Sequence, residues 1–366
     1  MGNTCGTGSA ATASYAFNTG TAATVFQAGS TYRHGPVGTT GAVYSLTPFG
    51  SSYAATAPLV FSPAVSFLAN STYNMICKSA YEPYFVARGQ NFGNLIWNNT
   101  GFPGSSTAQL ALNMGRVDTL TITAMGTPTN ATNAGRIIVY GDFINNSTTN
   151  SNLGIMIFAG SSLQKISGSN TTSPIATLQV NDKANVQLQK NINVTGAVNV
   201  LGKLDVGTNT ITGSGTPSFN NFSPYNKTFN KPAGSNSPNS SCSVTAGNTT
   251  ITIAGISTIP VGTNVASISH PTLFPAGTFV TAYSGSGKYV VSKAPTASAD
   301  SASEPPLSIT FNTGAGTFAT ANTAGMGGSL PSIATYNLNA GSNYIFNAAT
   351  TAPFTGAATT LSIGSI

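Results

Sequence analysis

The stretch that decides the fold, residues 186–212, has the sequence VQLQKNINVTGAVNVLGKLDVGTNTIT. Apolar side chains recur there in pairs, one polar residue apart, and each pair returns after six residues. Side chains of a strand point alternately to opposite faces, so both members of a pair share one face. Short strands that turn after every unit are typical of a chain wound around a triangular core, with about three units per turn. The repeat predicts a parallel β-helix, or β-solenoid, with these inward residues: Val186, Leu188, Ile192, Val194, Val198, Val200, Leu204 and Val206, with Thr210 and Thr212 as a fifth pair.

The composition agrees with a stacked β-fold. Only 5% of the 366 residues are charged, against about 25% in ordinary soluble domains. The chain is nevertheless 40% hydrophobic, which excludes the composition of intrinsic disorder. In a solenoid, equivalent side chains lie about 4.8 Å apart, so like charges would repel while Asn and Thr can hydrogen-bond along the stack. We therefore expect an all-β protein.

A second repeat marks both ends of the predicted solenoid. The sequence FQAGSTY at 26–32 returns as FLANSTY at 67–73 and as LNAGSNY at 338–344, with a weaker copy, FAGSSL, at 158–163. An apolar residue followed by Ala, then Gly or Asn, then Ser predicts a strand that ends in a bend requiring positive φ. Coils should therefore be present before residue 30 and near residue 345.

The composition and repeat pattern of the sequence change once, after residue 222. Residues 223–241 are rich in Asn, Ser and Pro, and short β-like runs separated by turn signals follow up to residue 311. This spacing is typical of a small antiparallel sandwich or barrel. We predict solenoid repeats at 1–221, an inserted antiparallel β-module at 222–312, and a return to the solenoid at 313–366.

Several short sequence segments resemble segments of giant repeat-containing surface proteins of Bacteroidetes, which are exported by the type IX secretion system. They are GQNFGNLI at 89–96, FINN at 143–146, IFAGSSLQKISG at 157–168, ATLQVND at 176–182 and VQLQKNINVTG at 186–196. The resemblance implies an extracellular, cell-surface adhesin or attachment appendage. The chain shows neither a signal-peptide pattern nor that family's sorting domain, so the resemblance implies an internal fragment. The module is similar to a small β-domain of phage tails and bacterial surface proteins, through Val261-Gly262-Thr263 and Pro275-Ala276-Gly277-Thr278.

Residues for catalysis are sparse. The chain has seven acidic residues and two histidines, and no two acids stand close in sequence with a His or Lys. Asp118 and Asp142 are the pair that stacked coils would bring together, but solvated turn residues are the simpler interpretation. Cys5, Cys77 and Cys242 fit no zinc spacing. We therefore expect no enzyme activity, no metal and no cofactor, with a polysaccharide-degrading β-helix enzyme as the third alternative.

The formal charge of +6 comes from 13 basic and seven acidic residues. Nucleic-acid-binding proteins concentrate their Lys and Arg residues in stripes. In this chain, only Lys183, Lys190 and Lys203 fall near one another. No nucleic-acid partner is expected, although a mildly basic face would favour anionic glycans. No apolar run approaches the length of about 18 residues that a membrane-spanning helix needs, so no membrane insertion is expected.

Aromatic residues are the remaining binding candidates. They crowd the N-terminal third, and we select Tyr73, Tyr81, Tyr84 and Trp97 because exposed Tyr and Trp contact sugars and proteins well. The alternative is that these rings fill the solenoid. Low charge and uncapped strand edges also predict association between copies of the chain. The leading hypothesis is a structural or adhesive surface segment that binds itself and cell-surface glycans or another cell's surface. A phage or tailocin tail fibre is the runner-up.

Overall fold

The computed structural model describes residues 24–34, 65–75, 91–98, 116–124, 136–148, 150, 152–222, 224–231, 242–253, 259–300, 307–339 and 341–349. This part of the chain is nearly all strand and forms a parallel β-solenoid of about nine turns with small antiparallel sheets, which confirms the predicted fold class. Among the described residues, no helix has the length and apolar character needed to cross a membrane. The elements in chain order are β1 Thr24–Phe26, β2 Thr31–His34, β3 Val65–Phe67, β4 Thr72–Met75, β5 Asn91–Asn98, β6 Arg116–Ala124, β7 Arg136–Val139, β8 Phe143–Asn145, β9 Ile155–Phe158, β10 Leu163–Ser167, β11 Pro174–Val180, β12 Asn185–Leu188, β13 Ile192–Val200, β14 Lys203–Asp205, β15 Ile211–Thr212, β16 Ser218–Asn221, β17 Tyr225–Lys231, β18 Cys242–Val244, β19 Thr250–Ile253, β20 Asn264–Ser267, β21 Val280–Tyr283, β22 Lys288–Val291, β23 Ala299–Asp300, β24 Leu307–Thr313, β25 Thr317–Thr320, α1 Gly325–Ser329, β26 Thr335–Leu338 and β27 Asn343–Phe346.

Two long parallel stacks form the main faces of the solenoid. The first face stacks β2, β4, β5, β6, β8, β10, β12, β14, β25 and β27. The second face stacks β7, β9, β11, β13, β16 and β26. A shorter third side pairs Ile175 with Val194 and Ile192 with Ile211. The inward side chains of all three sides form one continuous hydrophobic core.

The six-residue repeat places its apolar pairs as predicted. All eight inward residues from Val186 to Val206 are at most 3% exposed. Leu204 lies in register with Val186, so three units complete this turn. On the second face, Met156, Leu178, Val198 and Phe219 stack directly on one another, at intervals of 20 to 22 residues. The first four apolar pairs of the repeat, from Val186 and Leu188 to Leu204 and Val206, are therefore confirmed as core residues of the coils.

The fifth pair was predicted wrongly. Ile211 is buried, whereas Thr212 is exposed and Thr210 is only half-buried. The turn before it is one residue longer than the preceding turns, because Gly207 adopts a φ of 59° and donates its N–H to the Asp205 carboxylate at 3.0 Å. One additional turn residue shifts the alternation by one position and sends the opposite set of side chains inward.

The corner motif at both ends is confirmed by backbone geometry. Gly29, Asn70 and Gly341 have φ values of 80°, 63° and 82°. The first two copies stack on each other, with ring centroids 4.6 Å apart for Phe26 and Phe67. The weaker copy at 158–163 differs, since Gly160 does not adopt a positive φ. Glycine is required there because a Cβ would collide with the carbonyl oxygen of Tyr140 in the preceding coil.

The antiparallel strands lie between two parts of the solenoid. The chain leaves the second face after Asn221 and returns to the first face at Thr317. Two sheets form in between, with strand orders β17-β24-β20 and β21-β22-β19-β18-β23. Ile251, Tyr289 and Phe311 lie in a separate core of this module. The module therefore has its own hydrophobic interior.

The module docks on the outside of the second face. Phe279 packs against Ile138 and Ile157, which point away from the solenoid core but are only 4% and 0% exposed. The Asp182 carboxylate accepts hydrogen bonds from the Asn264 amide at 2.6 Å and from the Gly314 N–H at 2.7 Å. One aromatic contact, one carboxylate and the Gln179 amide, which donates to the Val261 carbonyl oxygen at 3.2 Å, thus fix the module against earlier coils.

Candidate functional site

Two of the four aromatic candidates, Tyr73 and Trp97, lie in the described part of the chain, and both are buried. Tyr73 and Trp97 are 0% and 2% exposed. The Tyr73 ring stacks on Tyr32 at 5.6 Å and meets the edge of Phe67 at 5.5 Å, inside the core. A buried ring cannot contact a partner at the surface, so the binding role predicted for these two is corrected to a packing role. Tyr81 and Tyr84 lie outside the described residues.

The inward orientation of the Tyr73 side chain could have been predicted from the sequence pattern. It is the last residue of the corner motif, two positions after a Ser, and it has the same alternation as the apolar residues of the six-residue units. Tyr32 occupies the equivalent position and is in register with it. Alternation along the strand would therefore have placed this ring inward.

Three of the described aspartates accept hydrogen bonds that fix the backbone of a turn, a neighbouring coil or the docked module. The Asp142 carboxylate accepts the Lys165 N–H at 2.8 Å, and Asp205 and Asp182 accept the bonds given above. Asp118 and Asp142 lie in neighbouring coils, since Leu120 is in register with Phe143. In the regions that the structure describes, no three His, Cys, Asp or Glu side chains group as metal ligands would.

Lys190 is the one basic residue of the predicted group that lies inside the solenoid. Lys183 and Lys203 are exposed, whereas Lys190 is 9% exposed. Its Nζ donates to the carbonyl oxygen of Asn170 and, at 3.4 Å, to that of Asn145. It also lies 5.9 Å from the centroid of the Phe143 ring. Burial lowers the pKa of this amine to about 8, because a charged ammonium loses hydration there.

Gln164 is a second buried polar side chain, and every polar atom of its amide has a partner. Its Nε2 donates to the carbonyl oxygens of Val139 at 3.0 Å and Gly141 at 2.9 Å, both in the preceding coil. Its Oε1 accepts the N–H of Gly160 at 3.0 Å. The residue is fully buried. Sequence reasoning missed it because a lone Gln inside a polar-rich repeat gives no signal of burial.

The open part of the second face carries a ladder of asparagines. Asn220 donates its amide to Asn199 at 2.7 Å, and Asn337 donates to Asn220 at 2.5 Å. The same outward column holds Ile157 and Gln179 in earlier coils, where the module covers it. Under the module this column thus holds isoleucine and the Gln179 amide, which donates to the Val261 carbonyl oxygen at 3.2 Å, and beyond the module it is polar but uncharged.

Comparison with known protein families, with curated proteins and with solved structures gave no match to this chain.

Proposed function

We propose that this chain is a structural and adhesive segment of a large extracellular surface protein or attachment appendage, and that it associates with copies of itself. The observation that carries the proposal is the uninterrupted stack of coils with a separate module fixed to its side. About nine turns, at about 4.8 Å per turn, give a stiff shaft of about 40 Å. Such a shaft suits spacing and display.

The outer surface supports association between copies. The asparagine ladder offers amide groups at a regular spacing and carries no charge. With 13 basic and seven acidic residues in 366, little electrostatic repulsion opposes contact between shafts. The resemblance of the coil phrases to Bacteroidetes surface proteins supports a setting outside the cell, reached by type IX secretion.

The docked module supports an adhesive role. It projects from the second face and has its own core. Its contacts to Asp182 and Ile157 hold it in one orientation relative to the shaft. Cell-surface glycans or another cell's surface are the proposed partners. In this proposal the chain has no catalytic role, and assaying a panel of polysaccharides for released reducing sugar tests that part.

A phage or tailocin tail fibre is the second candidate. The observation that favours it is the combination of parallel coils with an antiparallel module inserted at one corner. Fibres of this kind also need stiffness and a receptor-binding part.

Gold-labelled antibodies raised against residues 224–316 decide between these settings in electron micrographs of the source cells. We expect labelling along surface structures of intact cells and none on cells from which the gene has been deleted. Labelling restricted to phage-like particles would favour the tail fibre. Labelling confined to the cell interior would overturn both.

A further inference from the structure

The six-residue repeat does not by itself determine the register between neighbouring coils. Successive units of 186–206 are almost interchangeable, each with two aliphatic side chains inward. Sliding a coil of these units by six residues would keep their aliphatic pairs inside and the polar residue between the two members of each pair outside. Alternation specifies strand register only against shifts that invert the two faces. The hydrophobic pattern alone therefore does not select the observed stacking.

Two buried polar side chains break this degeneracy. Gln164 and Lys190 are both buried, and the side-chain nitrogen of each donates hydrogen bonds to backbone carbonyl oxygens of earlier coils. We propose that Gln164 and Lys190 are register keys, which select the native stacking of the coils because only that stacking satisfies their buried polar groups. A buried polar group that specifies register at some cost in stability is an established device in other folds.

The surroundings of Gln164 are built for it. Its amide lies beside Gly160, where a Cβ would come within 3.1 Å of the Gln164 Cδ. Its other partner, Gly141, is also a position where a Cβ would collide with backbone, in this case the Asp118 carbonyl oxygen. A coil displaced by six residues would remove the Gln164 amide from the two carbonyl oxygens of the preceding coil, Val139 and Gly141, whereas the Gly160 N–H, in the same coil as Gln164, would move with it.

The surroundings of Lys190 are equally specific. Its polar contacts are backbone carbonyl oxygens of two different coils, Asn170 in the preceding turn and Asn145 in the turn before that. The remaining contact is the Phe143 ring. The amine thus spans three successive coils. In a shifted stacking it would be buried without these acceptors, which is costly for a charged or a neutral amine.

Disulfide trapping after refolding tests the proposal, in a background with Cys5, Cys77 and Cys242 changed to Ser. Lys165 and Gln187 are in register on the first face, so the pair Lys165→Cys and Gln187→Cys reports native stacking. The pair Lys165→Cys and Asn193→Cys reports a shift of six residues. Asn193 natively lies in register with Pro174, on the third side. Each pair is unfolded, refolded and oxidised, and the cross-linked fraction is measured.

With Gln164 and Lys190 intact, we expect only the native pair to cross-link. In the double variant Gln164→Leu and Lys190→Met, the shifted cross-link should increase about tenfold or more, which corresponds to about 1.4 kcal/mol of lost register preference. Leu188→Met, which changes a buried side chain of the same coil as Lys190, is the matched control and should leave the shifted cross-link at its original level.

The single variant Lys190→Met keeps the test decisive if the double variant does not refold, because Lys190 bonds across the two coils that the cross-link joins. It should then raise the shifted cross-link severalfold in material that shows a cooperative unfolding transition. Refolded protein of either kind that still cross-links only in the native register would overturn the proposal.

Discussion

Replacing Val198 by Asp should be among the most damaging single changes in this chain. Val198 is fully buried between Leu178 and Phe219 of the neighbouring coils. Losing its burial removes about 2 kcal/mol. Keeping the new carboxyl uncharged at pH 7 costs about 4 kcal/mol more, at 1.36 kcal/mol per unit above the ordinary aspartate pKa of about 3.9. Relaxation of the coils reduces this sum, so we expect a loss of about 3 to 6 kcal/mol.

The adjacent residue provides the matched control. Asn199 points outward, and its Oδ1 accepts the Asn220 amide at 2.7 Å. In Asn199→Asp a carboxylate oxygen can accept the same bond, so the free energy of unfolding should change by less than about 0.5 kcal/mol. Denaturant unfolding followed by circular dichroism compares the two variants under identical conditions.

The pH dependence identifies the cause. Burial raises the pKa of the new carboxyl in the folded state, so the folded protein binds more protons than the unfolded chain above pH 4. The stability of Val198→Asp should therefore rise relative to the original protein by about 1.4 kcal/mol for each unit of pH lowered from 7 towards 4. Equal unfolding midpoints for the two variants, or a deficit that does not change with pH, would refute the inward assignment.

Four further predictions concern other parts of the molecule. The folded-state pKa of Lys190 is about 8, which is below that of an unfolded lysine. The free energy of unfolding should therefore increase by about 2 to 3 kcal/mol as pH rises from 8 to 10.5. Denaturant titrations should show that the Lys190→Met variant lacks this increase. Lys183 holds a φ of 66°, so Lys183→Gly should raise stability by up to about 1 kcal/mol, and a lower unfolding midpoint would contradict the strain. Phe279→Ser should release the module and speed its limited proteolysis about tenfold, whereas the same change at the exposed Tyr283 should not. Replacing residues 222–316 with a short Gly/Ser linker should leave a cooperatively folding β-protein.

The sequence contained the coil pattern because burial there depends only on local alternation. Val194 and Val200 are assigned inward by their spacing alone, and the positive φ of Asn70 follows from the Gly that replaces it in the other copies. The error at Thr210 and Thr212 has a local cause as well, because one additional residue in the Gly207 turn reverses the alternation. Sequence rules for turns do not fix that length.

The docked surface and the buried amine could not be obtained in this way. Ile138 and Ile157 are outward residues that look misplaced until Phe279, more than a hundred positions later, covers them. Lys190 occupies a position that alternation leaves undecided, at a corner between two sides. Its burial depends on carbonyl oxygens contributed by two other coils. Such contacts arise from three-dimensional stacking, which no single stretch of sequence records.

The corner at which the module is inserted has a mechanical consequence. The chain leaves and rejoins the shaft side by side, with the Gly316 N–H bonded to the Phe222 carbonyl oxygen at 2.9 Å. Backbone hydrogen bonds between coils run along the shaft, so a pull on its two ends is shared among the strand pairs of each turn. That force bypasses the module, because its two connections are anchored at the same point. A module mounted in this way keeps its shape under tension, and it can be lengthened or exchanged without altering the residue count of any coil.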